Sequence, residues 1–381
     1  MPDSPSFSLP LPMVDLQTQY QRLRSEIDAG IAEVLNSSQY IGGPSVNAFA
    51  ENLAGYLNVE HVIPCGNGTD ALQIALMALG LKPGDEVITT PFTFVATAEV
   101  IALLGLKPVF VDVDPDTFCL LPEKVEAALT DKSRCIIPVH LFGQAAPMEP
   151  LLDIAAKHEL YVVEDNAQAL GADYRFADGR TAKLGTLGHV GCTSFFPSKN
   201  LGAYGDGGAL FTADKGLAER LRMIVNHGMK RRYYHDVIGV NSRLDALQAA
   251  VLKAKLPHLD AFGESRQKAA ARYDEGLAEV AAVQTPVRAS YSTHVFHQYT
   301  LRVKQGRDAL QKHLAKAGIS SAIYYPVPLH LQEAYRVYGY SEGDFPMAEQ
   351  LSREVLSLPM HTEMTPEMQA YIIDHIKSFF A

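Results

Sequence analysis

Apolar positions follow a helical spacing near the start of the chain. They recur every fourth residue from Leu23 to Leu35, which predicts an amphipathic helix from Gln19 to Leu35. The turn Gly42-Gly43-Pro44 then predicts the start of a second helix, over Val46–Leu57. Residues 1–12 are rich in Pro and Ser and favour a loose arm ahead of this pair.

The middle of the chain alternates short apolar runs with helical patterns. Strands that are apolar on both faces and separated by helices predict a mostly parallel sheet with helices on both sides. In such sheets, ligands collect at the carboxyl ends of the strands. The predicted strands are Glu86–Thr90, Val109–Val113, Cys135–His140, Tyr161–Glu164, Gly191–Phe196 and Gly208–Thr212, and helices follow the first three up to Leu104, Leu129 and Lys157.

The pattern changes after Asn241 and predicts a smaller α+β domain. We expect the N-terminal arm to join this second domain. Its predicted elements are helices over 244–256 and 259–280, a strand over 297–303, a helix over 308–317, an aromatic strand over Ala322–Tyr325, and terminal helices.

Composition limits the possible classes of function. A chain of 381 residues, 47% apolar and 20% charged, is typical of a soluble enzyme of about two domains. Its net charge of −10 excludes a general affinity for nucleic acid. Four cysteines without CxxC spacing and thirteen histidines without a ligand pair favour neither a disulfide framework nor a metal site.

The same composition bears on location. Residues 1–12 lack the basic stretch and apolar run of a signal peptide, and no apolar run is long enough to span a membrane. Few, scattered cysteines suit a reducing compartment. We therefore expect a cytoplasmic protein that is not bound to a membrane.

One lysine has an unusual setting. Lys199 follows the apolar stretch Thr193–Phe196 and precedes a turn with glycines at 202, 205, 207 and 208. Poor hydration in such a place lowers the pKa of an ammonium and makes its free amine a nucleophile suited to Schiff-base chemistry. The alternative is an ordinary surface lysine in a loop.

A second motif resembles an anion site. Gly66-Asn67-Gly68 is a turn that leads directly into a predicted helix reaching Leu79. The free N–H groups at a helix start, together with the Thr69 hydroxyl, suit a phosphate. The alternative is a helix that is merely well capped.

Two further strand ends carry candidate side chains. An apolar strand ends at Glu164-Asp165, and a carboxylate there could face the nitrogen of a pyridinium ring, with Gln168 nearby. Phe92 and Phe94 follow another strand end, where one ring could stack on a planar ligand. The alternatives are a capping aspartate and two core phenylalanines.

Taken together, these motifs predict a binding site for pyridoxal 5'-phosphate (PLP). A phosphate site, a stacking aromatic ring, an acid for the pyridine nitrogen and a Schiff-base lysine are the four parts that hold this cofactor. Each motif alone is weak, but all four fall at strand ends of one predicted sheet.

The residues then resemble the DegT/DnrJ/EryC1/StrS sugar aminotransferases over nearly the whole chain. The resemblance implies the PLP-dependent transferase fold type I: a large α/β domain with a mostly parallel seven-stranded sheet, over 13–250, and a small α+β domain, over 251–381. The arm 1–40 would contribute to the small domain. The motifs that carry the resemblance are GNGTDAL (66–72), GDEVITTPFTFVATAE (84–99), VVEDNAQALGA (162–172), TSFFPSKNLGAYGDGG (193–208) and GVNSRLDALQAAVL (239–252).

The resemblance also implies roles for single residues. Lys199 would form the Schiff base and later move the proton, while Asp165 would keep the pyridine nitrogen protonated. Asn241 would reach the phosphate from the neighbouring subunit, so the active unit would be a homodimer. The remaining implied cofactor contacts are Phe94 and Gln168 at the ring and Gly68, Thr69 and Ser194 at the phosphate.

Within the family, the sequence is most similar to a branch that uses L-glutamate. That branch aminates the 3-keto carbon of a UDP-N-acetylhexosaminuronic acid, for surface polysaccharide such as O-antigen. Arg243 suits a carboxylate of the sugar or of glutamate, because a guanidinium binds it in bidentate fashion. The candidates for sugar and diphosphate contacts are Arg231, Arg232, Tyr325 and His330.

Two alternatives stay open. One is amination at C4 or C3 of a keto-6-deoxy sugar linked to UDP or dTDP, which gains weight because Tyr324 stands where the uronate branch often carries histidine. The other is a PLP-binding regulatory protein without turnover. The filled cofactor positions favour an enzyme over this second alternative.

Overall fold

The computed structural model describes residues 7–381, so the first half of the predicted N-terminal arm lies outside the described residues. Twelve α-helices are described: α1 Leu16–Ser37, α2 Pro44–Leu57, α3 Gly68–Leu79, α4 Ala96–Leu103, α5 Pro122–Ala127, α6 Met148–Lys157, α7 Lys215–Ile224, α8 Ala246–Lys255, α9 Leu259–Leu277, α10 Arg307–Lys316, α11 Pro346–Glu354 and α12 Pro366–Phe380. Fourteen strands accompany them: β1 His61–Cys65, β2 Glu86–Thr89, β3 Lys107–Phe110, β4 Ser133–Ile136, β5 Tyr161–Asp165, β6 Asp173–Arg175, β7 Thr181–Lys183, β8 Val190–Ser194, β9 Gly208–Thr212, β10 Met229–Arg231, β11 Tyr234–His235, β12 Val283–Gln284, β13 Tyr299–Val303 and β14 Val355–Leu358.

Seven strands form one sheet in the order β1-β9-β8-β5-β4-β2-β3. The five strands from β8 to β3 are mutually parallel, and β9 runs antiparallel to both β8 and β1. The prediction of a mostly parallel sheet is confirmed. The sequence pattern missed β1, which carries Pro64, a residue that a sheet tolerates at its edge because proline donates no hydrogen bond.

Successive side chains of the central strands point to opposite faces of this sheet, and each face packs in its own hydrophobic core. On β5, Val163 packs in the cluster formed with α3, α4 and α7, whereas its neighbour Val162 packs with α6 on the other face. Val87 and Ile88 of β2 divide in the same way. Because both faces are covered, no polar residue interrupts these strands until their ends.

A smaller sheet forms the second body of the chain. Its central strand β13 is buried at all five positions and pairs antiparallel with β12 and β14. Helices α9, α10 and α12 cover it with Tyr273, Leu310 and Ile372 among others. The N-terminal arm joins this body, since the Leu11 N–H donates to Gly318 O at 2.7 Å.

The predicted strand Ala322–Tyr325 is wrong. Only Ala322 forms a bridge, to Ser357, and β14 takes the edge position instead. Pro326 and Pro328 lack N–H donors, so the segment cannot continue along a sheet. The division into 13–250 and 251–381 stays a prediction, and its boundary falls within α8.

Candidate active site

The carboxyl end of β5 places an acid at the edge of the sheet. Asp165 is 7% exposed, and its Oδ2 accepts a hydrogen bond from Thr97 Oγ1 at 2.8 Å, while Oδ1 accepts from Ala167 N at 3.2 Å. Within residues 7–381, its carboxylate forms no ion pair. A nearly buried carboxylate without a cation is stabilised by a cationic ligand, and a protonated pyridine nitrogen is such a ligand.

The start of α3 leaves backbone donors free beside β8. The Asn67 side chain caps the helix by accepting a hydrogen bond from Asp70 N at 2.8 Å. The N–H groups of Gly68 and Thr69, which come before Asp70, have no partner within the helix. Gly68 lies so close to Ser194, the last residue of β8, that a Cβ added to it would come within 2.7 Å of the Ser194 Cβ. This narrow cup of N–H and hydroxyl groups suits a phosphate.

We expect Gly68→Ala to weaken PLP binding at least about tenfold, because the added methyl group would force Ser194 out of the cup. A titration of the cofactor-free protein with PLP, followed by absorbance, measures this. Gly55→Ala is the matched control. Gly55 lies within α2 with open space around it, so that variant should bind PLP normally and gain about 0.5–1 kcal/mol of stability. If Gly68→Ala bound PLP with unchanged affinity, the phosphate would not bind in this cup.

Lys199 follows β8 in a tight turn. Its own N–H donates to Phe196 O at 2.8 Å, and Ala203 N donates to Phe195 O at 2.8 Å, which holds the loop against the strand. Desolvation lowers the pKa of Lys199 to about 8, with the nearby Asp165 charge acting in the opposite direction. Near pH 8, about half of these amines are therefore unprotonated, which is the nucleophilic form.

An aromatic pair and an amide lie beside these groups. The Phe94 ring is 54% exposed, and its centroid lies 6.4 Å from that of Tyr325. The Gln168 Nε2 donates to the Tyr325 hydroxyl at 3.1 Å, and its Oε1 accepts from Phe142 N at 2.7 Å. Phe92 is fully buried, so Phe94 is the ring available for stacking.

Sequence reasoning missed Ser242, which connects two distant parts of the site. Its hydroxyl donates to Asp70 Oδ2 at 2.6 Å and accepts from Gly66 N at 2.8 Å. This anchor holds the loop over 239–243 beside the start of α3. Its neighbours Asn241 and Arg243 are exposed on either side. The only sign of this contact in the sequence was a small hydroxyl residue between Asn241 and Arg243.

The remaining predicted contacts are on a hairpin and in the interior. Arg231 and Arg232 are exposed on the hairpin β10–β11, where the Arg231 guanidinium lies 3.6 Å from the centroid of the Tyr234 ring. His330 is wholly buried, and its Nε2 lies 3.1 Å from Glu349 Oε1. A ring without exposed surface reaches no ligand directly in this arrangement, so His330 is an interior residue and not a surface contact.

Residues 21–377 match the model of the DegT/DnrJ/EryC1/StrS aminotransferase family. The chain belongs to this family. It is 51% identical to the "Pleiotropic regulatory protein" of Geobacillus stearothermophilus, covering 97% of this chain and 98% of that protein. It is 48% identical to the UDP-2-acetamido-2-deoxy-3-oxo-D-glucuronate aminotransferase of Pseudomonas aeruginosa, covering 91% of this chain and 94% of the relative.

Solved structures agree with this membership. DesV of S. venezuelae is 42% identical and superposes with a TM-score of 0.94, over 98% of this chain and 99% of its own. NtdA of Bacillus subtilis, solved with bound PMP, is 30% identical with a TM-score of 0.89, over 100% of this chain and 86% of its own. The fold type I expectation is confirmed.

The chain is accordingly a PLP-dependent sugar aminotransferase that acts on nucleotide sugars. The residues described above fit this cofactor, because the Asp165 carboxylate, which forms no ion pair within residues 7–381, and the cup beside Gly68 supply a cation site and an anion site. Within residues 7–381, no cluster of three or more His, Cys, Asp or Glu side chains could hold a metal ion. None of the helices described is long and apolar enough to cross a membrane.

Proposed function

We propose that this enzyme transfers the amino group of L-glutamate to the 3-keto carbon of a UDP-N-acetylhexosaminuronic acid. The product would be UDP-2-acetamido-3-amino-2,3-dideoxyglucuronate, a precursor of surface polysaccharide such as O-antigen. The observation that carries this proposal is the 48% identity, over nearly the full length of both chains, to a relative named for that reaction. An exposed Arg243 beside the site provides the charge that a uronate requires.

Bound PLP supplies the electron sink through which an amino group is exchanged with a carbonyl. The residues of this chain bind and orient it. Asp165, oriented by Thr97, holds the proton at the pyridine nitrogen, and the N–H groups at Gly68 and Thr69 bind the phosphate with the Ser194 hydroxyl. Phe94 covers one face of the ring, and Gln168 lies at the other side.

Lys199 provides both the covalent attachment and the proton transfer. Its amine is desolvated, with a pKa lowered to about 8, so at neutral pH it can exist as a free base and return as an acid. Because glutamate gives up its amino group and leaves before the sugar accepts that group at the same site, we expect ping-pong kinetics. The role of each of these residues belongs to the proposal.

We further propose that the active unit is a homodimer. Asn241 and Arg243 are exposed although Ser242 between them is buried, so the anchored loop points its two neighbours outward. The family resemblance implies that Asn241 binds the phosphate of a neighbouring subunit, and an exposed Asn241 fits such a contact. Arg231 and Arg232, with Tyr325, are the proposed contacts to the diphosphate and sugar. All four cysteines are buried and unpaired, which fits the proposed cytoplasmic location.

The proposal is tested by offering UDP- and dTDP-linked 3-keto and 4-keto sugars with glutamate and identifying amino products by mass spectrometry. A UDP-3-amino uronate as the main product would support it. An aminated 6-deoxy sugar as the main product would favour the alternative substrate class, for which Tyr324 in place of histidine argues.

A regulatory role without turnover is distinguished by the glutamate half-reaction alone. The relative that is 51% identical carries a regulatory name, so the measurement is informative. Release of 2-oxoglutarate in proportion to enzyme, with loss of the visible absorbance of the bound cofactor, would show catalysis. Binding of PLP without release of 2-oxoglutarate would favour the regulatory role.

Arg243 provides the sharpest test of the uronate. We expect Arg243→Met to lower kcat/KM for the uronate about 100-fold, since a charge-assisted bidentate contact is lost. For a 6-deoxy substrate, which has no carboxylate at C6, the same variant should keep its kcat/KM. Arg243→Lys keeps the positive charge but not the planar guanidinium, so its kcat/KM for the uronate should lie between those of the wild type and Arg243→Met. An equal loss on both substrates would point to glutamate as the carboxylate that Arg243 binds.

A further inference from the structure

Helix α8 contacts the turn that follows Lys199 at two points. At the end of the helix, Lys255 donates from Nζ to Gly202 O at 2.6 Å. Two helical turns earlier, the Gln248 Oε1 accepts from Tyr204 N at 2.8 Å, and its Nε2 donates to Tyr204 O at 3.4 Å. Positions seven apart lie on the same face of a helix, so one face of α8 binds the backbone of this turn.

The turn is folded back on the residues that precede the lysine. A Cβ added to Gly202 would come within 2.2 Å of Pro197 O, and the next residue, Ala203, donates from its N–H to Phe195 O at 2.8 Å. Lys199 lies between these two contacting segments. Any displacement of Gly202 is therefore passed on to the backbone that carries the lysine.

Helix α8 is itself held firmly by the first two helices of the chain. Val251 packs in a buried cluster with Leu23 of α1, and Leu252 packs in another with Phe49 of α2. Interiors packed in this way yield little to small forces. The helix is therefore a rigid support for the turn that it binds.

Lys255 is an unusual residue at such a buried position. It is 1% exposed, and it forms no ion pair with any residue of the described range 7–381. Burial, together with the nearby charge of Arg266, lowers the pKa of Lys255 to about 8, so the amine is still mostly protonated at neutral pH. A buried cation without a carboxylate is costly, and a methionine would fill a similar volume without that cost. The groups that the ammonium meets both belong to the turn: Gly202 O, and the Tyr204 ring, whose centroid lies 5.3 Å from Nζ.

We propose, on the basis of the proposed cofactor role of Lys199, that Lys255 and Gln248 are positioning residues that fix the turn 197–205 on α8 and so keep the Lys199 amine within reach of the cofactor. Both side chains act on the backbone of the turn and not on the reacting atoms. Transamination releases the lysine from the cofactor in each cycle, and the lysine must return to the same carbon atom. A fixed backbone raises the rate of that return, because small misplacements of a reacting group cost large factors in rate.

The test measures how fast the cofactor-free protein attaches PLP covalently, from the absorbance after rapid mixing over a range of PLP concentrations. The maximum rate reports capture by the lysine, and the concentration at half of that rate reports the initial noncovalent binding. We expect Lys255→Met and Gln248→Met each to lower the maximum rate about tenfold, because a looser turn brings the amine to the cofactor less often. The half-saturating concentration should stay the same, since the cup beside Gly68 and the Asp165 carboxylate are unaltered.

Two control variants separate position from charge and from stability. Lys253→Met removes an exposed lysine of the same helix and should attach PLP as the wild type does. Ile376→Val weakens the buried core of the second body and should also keep the wild-type maximum rate, although it lowers stability.

Hydrogen exchange of the cofactor-free protein gives a readout that does not involve PLP. The N–H groups of Lys199 and Ala203 are hydrogen-bonded within the turn. We expect them to exchange about tenfold faster in Lys255→Met than in the wild type, because local opening of the turn becomes easier. The N–H groups of β13 should exchange at the wild-type rate.

Capture of PLP at the wild-type maximum rate by both variants would overturn the proposal. Faster exchange throughout the protein, and not only in the turn, would equally overturn it, because the two residues would then serve general stability. Where Lys255→Met does not fold, Gln248→Met carries both measurements, since Gln248 is only partly buried. Failure of the wild-type protein to attach PLP covalently would instead contradict the role of Lys199 itself, so the two failures are distinguishable.

Discussion

Lys199→Ala is expected to lower turnover by at least about 10³-fold, because one residue both attaches the cofactor and moves the proton, and positioned acid–base groups alone contribute 10²–10⁴-fold. The structure gives the physical basis, since desolvation lowers the pKa of this amine to about 8. The variant should still bind PLP noncovalently, through the cup beside Gly68 and the Asp165 carboxylate. Steady-state kinetics and the absorbance of the bound cofactor measure the two effects separately.

Two control variants make this result specific. Lys199→Arg retains a cation but not a nucleophile and should be as inactive as the alanine variant. Lys215→Ala removes an exposed lysine at the start of α7 and should behave as the wild type. Turnover of Lys199→Ala at a rate close to that of the wild type would disprove the proposed mechanism.

Asp165→Asn and Glu164→Gln are expected to separate catalysis from stability at two adjacent buried acids of β5. The first should lower kcat by about 10²–10⁴-fold with little change in the free energy of unfolding. The amide oxygen can still accept from Ala167 N, and its NH₂ can donate to the Thr97 hydroxyl, but the amide cannot hold a proton at the pyridine nitrogen. Stopped-flow measurement of the glutamate half-reaction and urea unfolding test the pair.

Glu164 faces the opposite side of the sheet and has a different task. Its carboxylate accepts from Gly185, Leu187 and Gly188 N–H groups at 2.6–2.8 Å and lies 2.9 Å from His140 Nε2. Glutamine would direct an NH₂ group at one of these donors, and we expect a loss of about 2–4 kcal/mol of stability. The folded variant should retain the half-reaction. If Glu164→Gln lost activity and Asp165→Asn lost stability, the roles assigned to these two acids would have to be exchanged.

The parts of the fold that sequence reasoning predicted correctly are those determined by local periodicity. The central strands and the helix α9, predicted over 259–280 and found over Leu259–Leu277, are examples. The errors lie where pairing between distant segments decides. Ala322–Tyr325 has strand-like residues but meets only Ser357, and β1 was missed because a five-residue edge strand with a proline has little pattern of its own.

Motifs in the sequence were enough to predict the class of chemistry. Lys199, Asp165, Phe94 and the turn at Gly68 each sit at a strand end or helix start, and such ends share one edge of a parallel sheet. The sequence alone therefore predicts that these residues lie close together in the fold. The roles of these residues stay predictions until variants are measured.

The side chains that orient these residues could be identified only from the folded structure. Thr97 donates to Asp165 across 68 positions of sequence, Ser242 donates to Asp70 across 172, and Asn200, next to Lys199, donates to Val295 across 95. The folded structure also shows that Phe94 is exposed whereas Phe92 is buried, and that His330 lies in the interior. The physical reason is that hydrogen-bond partners are chosen by packing between distant elements, which leaves no periodic trace in the sequence.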